Sequence, residues 1–234
     1  MIAPQIAVAA AGVGVPPVGL YLRGRVAPMG SLSAVTAASV IGIFPSAFVA
    51  KMWSRTAALS SDDAVAAFTS ACTSWGREML ASVPASSLSD VARLGFTVVD
   101  AAELSALPLI AAWQSVARPS GDAERAAFAL FLLRELRGAV HLAALRAHGL
   151  DVPTAVVADP SAGEARLRDA FAWREEDLAP VRARAAAVPD LSARWAAAEV
   201  STDFAFGAML EVLSASEAAE LVKACDAVTA AVGA

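Results

Sequence analysis

The chain has 234 residues, 57% of them hydrophobic and 18% charged, with a formal net charge of -5 and a sequence pI near 5.1. Disorder needs low hydrophobicity with high charge, the reverse of this composition, and two cysteines cannot make a disulfide scaffold. The acidic balance supplies no overall field for nucleic acid or anionic lipid.

Fifty-nine alanines, sixteen arginines against two lysines, and no asparagine complete an uneven inventory. The opening run, MIAPQIAVAAAGVGVPP, is apolar but carries no Lys or Arg, so it lacks the positive segment of a signal peptide. Its GVGVPPVG portion is no phosphate loop, because no strand precedes it and proline removes the amides such a loop offers. From Val26 to Ala50 there is no charge, a length beyond the roughly 20 residues that span a bilayer. That stretch holds four serines, a threonine, two glycines and two prolines, with Pro45 placed to break a spanning helix. Two short buried helices, about 33–43 and 45–54, are expected instead, in a cytoplasmic protein with no membrane partner.

Ser60-Ser61-Asp62-Asp63 reads as a capping cluster before a helix to about Val83. In it Val65, Phe68, Cys72, Trp75 and Met79 recur at three and four, one apolar stripe. A second helix opens near Ser86 or Ser87, Gly95 interrupts it, and another run begins at Asp100. Thr97–Val99 is the only strand-like stretch. Pro108 can open a helix to about Val116. Pro119-Ser120-Gly121-Asp122 is a turn that launches the longest helix, about 122–148, ended by Gly149. Pro153 and Pro160-Ser161 bracket a short segment with Thr154 as a cap. Helices follow at about 161–171, 174–187, 190–207 and 215–232, the last with a Ser214/Glu217 capping box. The two cysteines, Cys72 and Cys225, fall in helical patterns as small buried hydrophobes. The expected fold class is all-α, a compact multi-helix bundle. It forms a single helical domain over 1–234, with a sub-boundary near 118–122 and a degenerate winged-helix-like portion over about 122–200.

The longest helix carries the most chemistry. At 100° per residue, Leu132, Leu136, Ala143 and Ala147 share one face. Arg134, Arg137, Gly138, His141, Leu145 and His148 share the other. Both histidines of the chain lie on that second face. Arginine is a forked donor for carboxylate or phosphate, histidine exchanges a proton near neutral pH, and Gly138 permits close approach to the backbone. An anion site with a general base uses these types at this spacing, although an ordinary solvated face has the same appearance. Glu199 and Asp203, at i and i+4, can balance those arginines or act as acid and base. Asp100 and Glu103 are better read as helix-start residues. Two histidines seven apart and two distant cysteines fit no zinc pattern, and no dinucleotide fingerprint, P-loop or nucleophile elbow occurs. No metal and no cofactor is therefore expected.

The segment RELRGAVHLAAL (Arg134–Leu145) resembles the signature of the SalK-like actinobacterial proteins, an all-helical family grouped under a helix-turn-helix heading. GLYLRGRVAPMG (Gly19–Gly30), the surroundings of Phe44-Pro45, ALPLIAAW (Ala106–Trp113), WREEDL (Trp173–Leu178) and AEVSTD (Ala198–Asp203) resemble further segments in the same order. The chain departs from the pattern at Ala139, where the family has Asp, and at Leu107 and Trp113, where it has Arg and Asn. Arg134, Glu135, Arg137, Gly138, His141, Glu199, Thr202 and Asp203 survive. If these positions line one cavity, the resemblance implies a pocket made more apolar while keeping an Arg/His and carboxylate edge.

The resulting expectation is a small-molecule-binding protein, whether or not it is also an enzyme. Catalysis without a cofactor, by proton transfer in cyclisation, isomerisation or dehydration, would assign His141, Arg134, Arg137 and Asp203 to the chemistry. Trp113, Leu107, Gly138, Glu199, Thr202 and Phe44 would contact the ligand. A small organic ligand is the expected partner, with a homodimer as a further expectation. Nucleic acid is disfavoured, because the helix equivalent to a recognition helix, Trp173–Arg184, begins with Glu175, Glu176 and Asp177 and lacks a following wing. Arg182, Arg184 and Arg194 are the counter-evidence, a local basic strip. The alternatives are a DNA-binding regulator of helix-turn-helix type and a non-catalytic interaction module.

Overall fold

The computed structural model describes residues 4–161 and 163–233. Among them are thirteen α-helices, one 3-10 turn and no strand. The helices are α1 (Pro4–Gly12), α2 (Pro17–Val26), α3 (Ala34–Ile41), α4 (Ser46–Arg55), α5 (Ser61–Met79), α6 (Ala85–Ala101) and α7 (Pro108–Gln114). They continue as α8 (Asp122–Ala147), α9 (Val152–Ala158), α10 (Gly163–Phe171), α11 (Glu175–Ala187), α12 (Leu191–Leu210) and α13 (Ala215–Val232). The 3-10 turn is Ala27–Met29.

Helix ends follow local chemistry. Ser60 Oγ accepts the Asp63 amide at the start of α5, and Ser214 and Glu217 close a reciprocal capping box on α13. At the end of α8, Gly149 takes φ 72°, the Gly149 amide reaches the Arg146 carbonyl and the Leu150 amide reaches Leu145. That pair of bonds satisfies carbonyls left over by the helix. The cap of α9 is Asp151, whose carboxylate accepts the Thr154 amide at 2.8 Å, so Thr154 is the capped residue rather than the cap.

Helix α6 corrects three expectations. It runs without interruption through Gly95, Thr97–Val99 is helical, and Asp100 lies in its last turn with Glu103 in the loop that follows, so neither starts a helix. Gly95 serves close packing: a Cβ there would meet the Ala129 Cβ of α8 at 3.1 Å. The β-branched Thr97, Val98 and Val99 are held helical because Val98 and Val99 are fully buried, and tertiary burial overrides their weak propensity.

Helix α8 is the axis of the bundle. Helices α5 and α6 pack on its N-terminal half, and α12 and α9 on its C-terminal half. The alanine-rich composition permits this crowding. At Gly76 a Cβ would come within 2.6 Å of the Ala123 carbonyl oxygen, and Ala126, Ala127 and Ala129 are buried beside it, so backbones replace side chains at the contact. Larger side chains fill the space further in, where Phe68, Trp113, Phe128 and Phe131 form a tilted and edge-on aromatic cluster. The change of neighbours along α8 also changes which face is buried. Leu145, assigned by ideal spacing to the polar face, is buried with Leu150, Ala155 and Ala198, whereas Ala143 and Ala147 are exposed.

No single helix among the described residues is long and apolar enough to cross a membrane; α1 and α2 with the 3-10 turn reach the length only as a pair bent by 88°.

Candidate functional site

A groove of about 1090 Å³ runs along α8 from Leu130 to Arg146. Helices α2, α3, α7, α9, α10, α12 and α13, the α3–α4 connection and the α6–α7 loop complete its walls. Most of its surface is apolar, but five arginines, four carboxylates and His141 are among the residues that line it.

One end of its polar edge is an ion cluster spanning 110 residues of sequence. Arg25 donates from Nε and Nη2 to the Glu135 carboxylate at 3.0 and 2.8 Å. The Glu135 side chain is 1% exposed and that of Arg25 12%. Arg134 Nη1 donates to the other Glu135 oxygen at 2.8 Å, so two guanidiniums share one carboxylate. Burial works against the charge on Arg25, but the Glu135 carboxylate together with the Tyr21 hydroxyl more than offsets it and raises the Arg25 pKa. Trp113 stands behind this pair: its indole N–H donates to the Arg25 carbonyl at 2.8 Å, and the ring is fully buried.

The other end holds His141. Its Nδ1 lies 3.0 Å from Thr202 Oγ1, and Thr202 Oγ1 donates its single proton to the Ala198 carbonyl at 2.7 Å. With that proton committed, Thr202 can only accept, so the Nδ1 of His141 carries hydrogen and Nε2 has a bare lone pair. Glu199 lies 3.8 Å from the same Nδ1, which favours that tautomer. Burial lowers the His141 pKa, Arg137 adds to the effect, and Glu199 and Asp203 oppose it. A neutral imidazole with a free Nε2 is the form that accepts a proton or a hydrogen bond at neutral pH.

Of the residues singled out by sequence, Arg134, Arg137, Gly138, His141, Glu199 and Leu107 line the groove. Thr202 is buried behind His141. Asp203 is solvent-exposed and reaches the site only through Arg137, at 3.1 Å. Phe44 is a core residue in edge-on contact with Phe171, 5.3 Å between ring centroids, and it is Phe171 that reaches the lining. His148 bonds Ser201 instead of facing the groove. Arg25 and the only tyrosine, Tyr21, were not singled out as site residues, and both line the groove. The one available signal was an arginine just before the uncharged stretch, inside the segment Gly19–Gly30.

The wall formed by α10 belongs to a second feature. Helix α10 ends at Phe171, residues 172–174 turn the chain, and α11 begins at Glu175. Ala172 takes φ 59° in this turn, an uncommon conformation for a residue with a Cβ. Trp173 Nε1 donates to the Ile43 carbonyl at 2.7 Å and ties the turn to the α3–α4 connection. Helix α9 packs against both α10 and α11. Arg182 is held by Glu164 and Glu175, Arg168 pairs with Glu164, and Arg184 pairs with Asp151 at 2.9 Å.

The site is thus a groove in an all-helical chain, one wall of which, α10, is joined to α11 by a three-residue turn. A family model described as a helix-turn-helix family matches residues 1–234, and the chain belongs to that family. The narrower SalK-like, actinobacterial resemblance is not part of that match. No curated protein and no solved structure matches the chain. Membership overturns the expectation that nucleic acid is a disfavoured partner. The physical reason is that a net charge of -5 averages over the chain. At the start of α11, Glu175 pairs with Arg182 and Glu176 with Arg174, and Asp177 accepts the Arg174 amide; Glu164 pairs with Arg168 and Arg182.

Proposed function

We propose that this chain is a DNA-binding regulator of helix-turn-helix type whose DNA affinity responds to a small organic molecule in the groove along α8. Family membership over the whole chain carries the DNA-binding half of this reading. The observation that joins the two halves is the shared wall: α10 contributes Arg166 and Phe171 to the groove lining and is also the first helix of the pair that turns at Ala172. A ligand that prefers one position of Phe171 shifts the orientation of α11 by its differential affinity for the two arrangements. The test is a gel-shift assay with genomic fragments at low salt. Salt-sensitive, sequence-selective retention supports the reading, and absence of retention at any salt overturns it.

The bare Nε2 of His141 favours a second reading, a cofactor-independent enzyme using proton transfer in the same groove. His141 would act as base or acid, and Arg134 and Arg137 would hold a developing oxyanion. Glu199 and Asp203 would balance Arg137. Replacing His141 by Gln removes the base; unchanged turnover of an identified substrate eliminates this reading.

A further inference from the structure

The groove lining carries five arginines against four carboxylates, in a chain whose overall charge is -5. Arg146 forms no ion pair among the described residues and lies about 18 Å along α8 from Arg134; the rest of the excess is local to Arg134. Arg137 is matched by Glu199 and Asp203, and Arg166 by Asp159. Arg25 and Arg134 share Glu135 alone. Asp226, the remaining acidic lining residue, forms no ion pair with Arg134 among the described residues. Arg134 commits only Nη1 to Glu135, and its side chain is 60% exposed, so the rest of its guanidinium fork is available to a guest.

Gly138 lies one turn beyond Arg134 on the same side of α8 and lines the groove. The position its Cβ would take has no atom within 4 Å. Its absent side chain therefore does not serve helix packing, unlike those of Gly76 and Gly95. It leaves bare helix backbone as a floor between Arg134 and His141. Leu107, Leu109, Ile41, Leu142 and Phe171 are among the apolar residues of the same lining.

We propose that the groove binds an organic monocarboxylate with a flat apolar body. Its carboxylate sits on the free edge of Arg134, reinforced by the buried Arg25–Glu135 pair. Its ring face lies on Gly138, and a hydroxyl or N–H on the body donates to His141 Nε2. At this end of the groove one guanidinium is left uncompensated beside Gly138, enough for one negative charge, and its fork matches carboxylate geometry. This rests on the groove being the ligand site of the proposed regulator, and it specifies the class of ligand.

The test uses 9-anthracenecarboxylic acid and its methyl ester as probes, titrated into the full chain by fluorescence. The acid is expected to bind at least tenfold more tightly than the ester. Arg134→Gln is expected to remove that preference while leaving ester affinity within twofold. Gly138→Ala is expected to weaken both probes at least fivefold with an unchanged or higher melting temperature. Equal affinity for acid and ester, binding of neither, or an unaffected Gly138→Ala variant overturns the proposal. The gel-shift result on DNA without probe is independent of these titrations, so failure of the ligand class and failure of the regulator reading are distinguishable.

Discussion

Thr202 accepts a hydrogen bond from His141 Nδ1 at 3.0 Å while passing its own proton to the Ala198 carbonyl at 2.7 Å. A hydroxyl on α12 thereby sets the tautomer of an imidazole on α8 and leaves its Nε2 free. Thr202→Val keeps the shape and removes the acceptor, so both tautomers become accessible. In 15N-detected spectra of ring-labelled histidine, the wild-type His141 is expected to show a protonated Nδ1 and a bare Nε2. The variant is expected to show a mixture, and a wild-type spectrum with hydrogen on Nε2 contradicts the assignment.

The lowered His141 pKa makes a stability prediction. As pH falls toward 6.5, the unfolded chain takes up the proton first, because folding depresses the pKa of this histidine. The folded state binds fewer protons there, so stability rises with pH through this region. The His141 contribution is penalty-free above about pH 7 and destabilises the fold progressively below about 6.5. Urea denaturation at pH 7.5 and 5.5 is expected to show a smaller loss in His141→Gln than in wild type. An equal loss in both proteins contradicts the prediction.

The Arg25–Glu135 pair is buried, and its two halves do not fail independently. Glu135→Ala strands a buried guanidinium and is expected to cost about 3–5 kcal/mol. The double change Arg25→Met with Glu135→Leu removes both charges and is expected to recover much of that loss. Denaturant titration of the two variants measures the difference, and a double variant as unstable as Glu135→Ala contradicts it.

Two glycines predict opposite signs for one substitution. Gly76→Ala forces a methyl to 2.6 Å from the Ala123 carbonyl oxygen and is expected to destabilise by about 1–3 kcal/mol. Gly138→Ala meets open space and is expected to stabilise by up to about 1 kcal/mol through helix propensity. Thermal melts of the two variants read the signs directly.

Burial pushes the Cys72 thiol up to about 12, and burial with Asp226 nearby raises Cys225 less markedly. The thiolate is the reactive form and both cysteines are partly buried, so a thiol reagent at pH 8 is expected to label Cys225 slowly and Cys72 more slowly still. Mass spectrometry of partly labelled protein gives the order; early labelling of Cys72 contradicts it.

Local chemistry made much of the fold legible in the sequence. Ser60, Ser214 with Glu217, Pro108, and Gly149 mark helix ends through bonds made within a few residues, and those ends fall where their signals predict. Gly95 misled because a glycine that breaks an isolated helix is indistinguishable, by sequence, from one that lets α8 approach. Ideal spacing puts Arg134, Arg137, Gly138, His141 and Leu145 on one face of α8, and all five line the groove, although Leu145 is also buried against α9 and α12. A helix with different neighbours along its length has no single buried side. Arg25 was not singled out because its partner lies 110 residues away, a separation that no periodicity encodes. Charge at the turn before α11 was misjudged for the same reason: Glu175 is acidic in sequence, and its neutralisation by Arg182 exists only once the chain is folded.

The proposed coupling between groove and turn rests on α10 belonging to both. A gel-shift titration of the full chain on its own upstream DNA, across a salt series, tests it most directly when repeated with 9-anthracenecarboxylic acid. Sequence-selective retention that weakens with salt and changes at least fivefold with the acid, but not with its methyl ester, is the predicted result. Failure to retain DNA, or retention that the acid leaves unchanged at saturating occupancy of the groove, contradicts it.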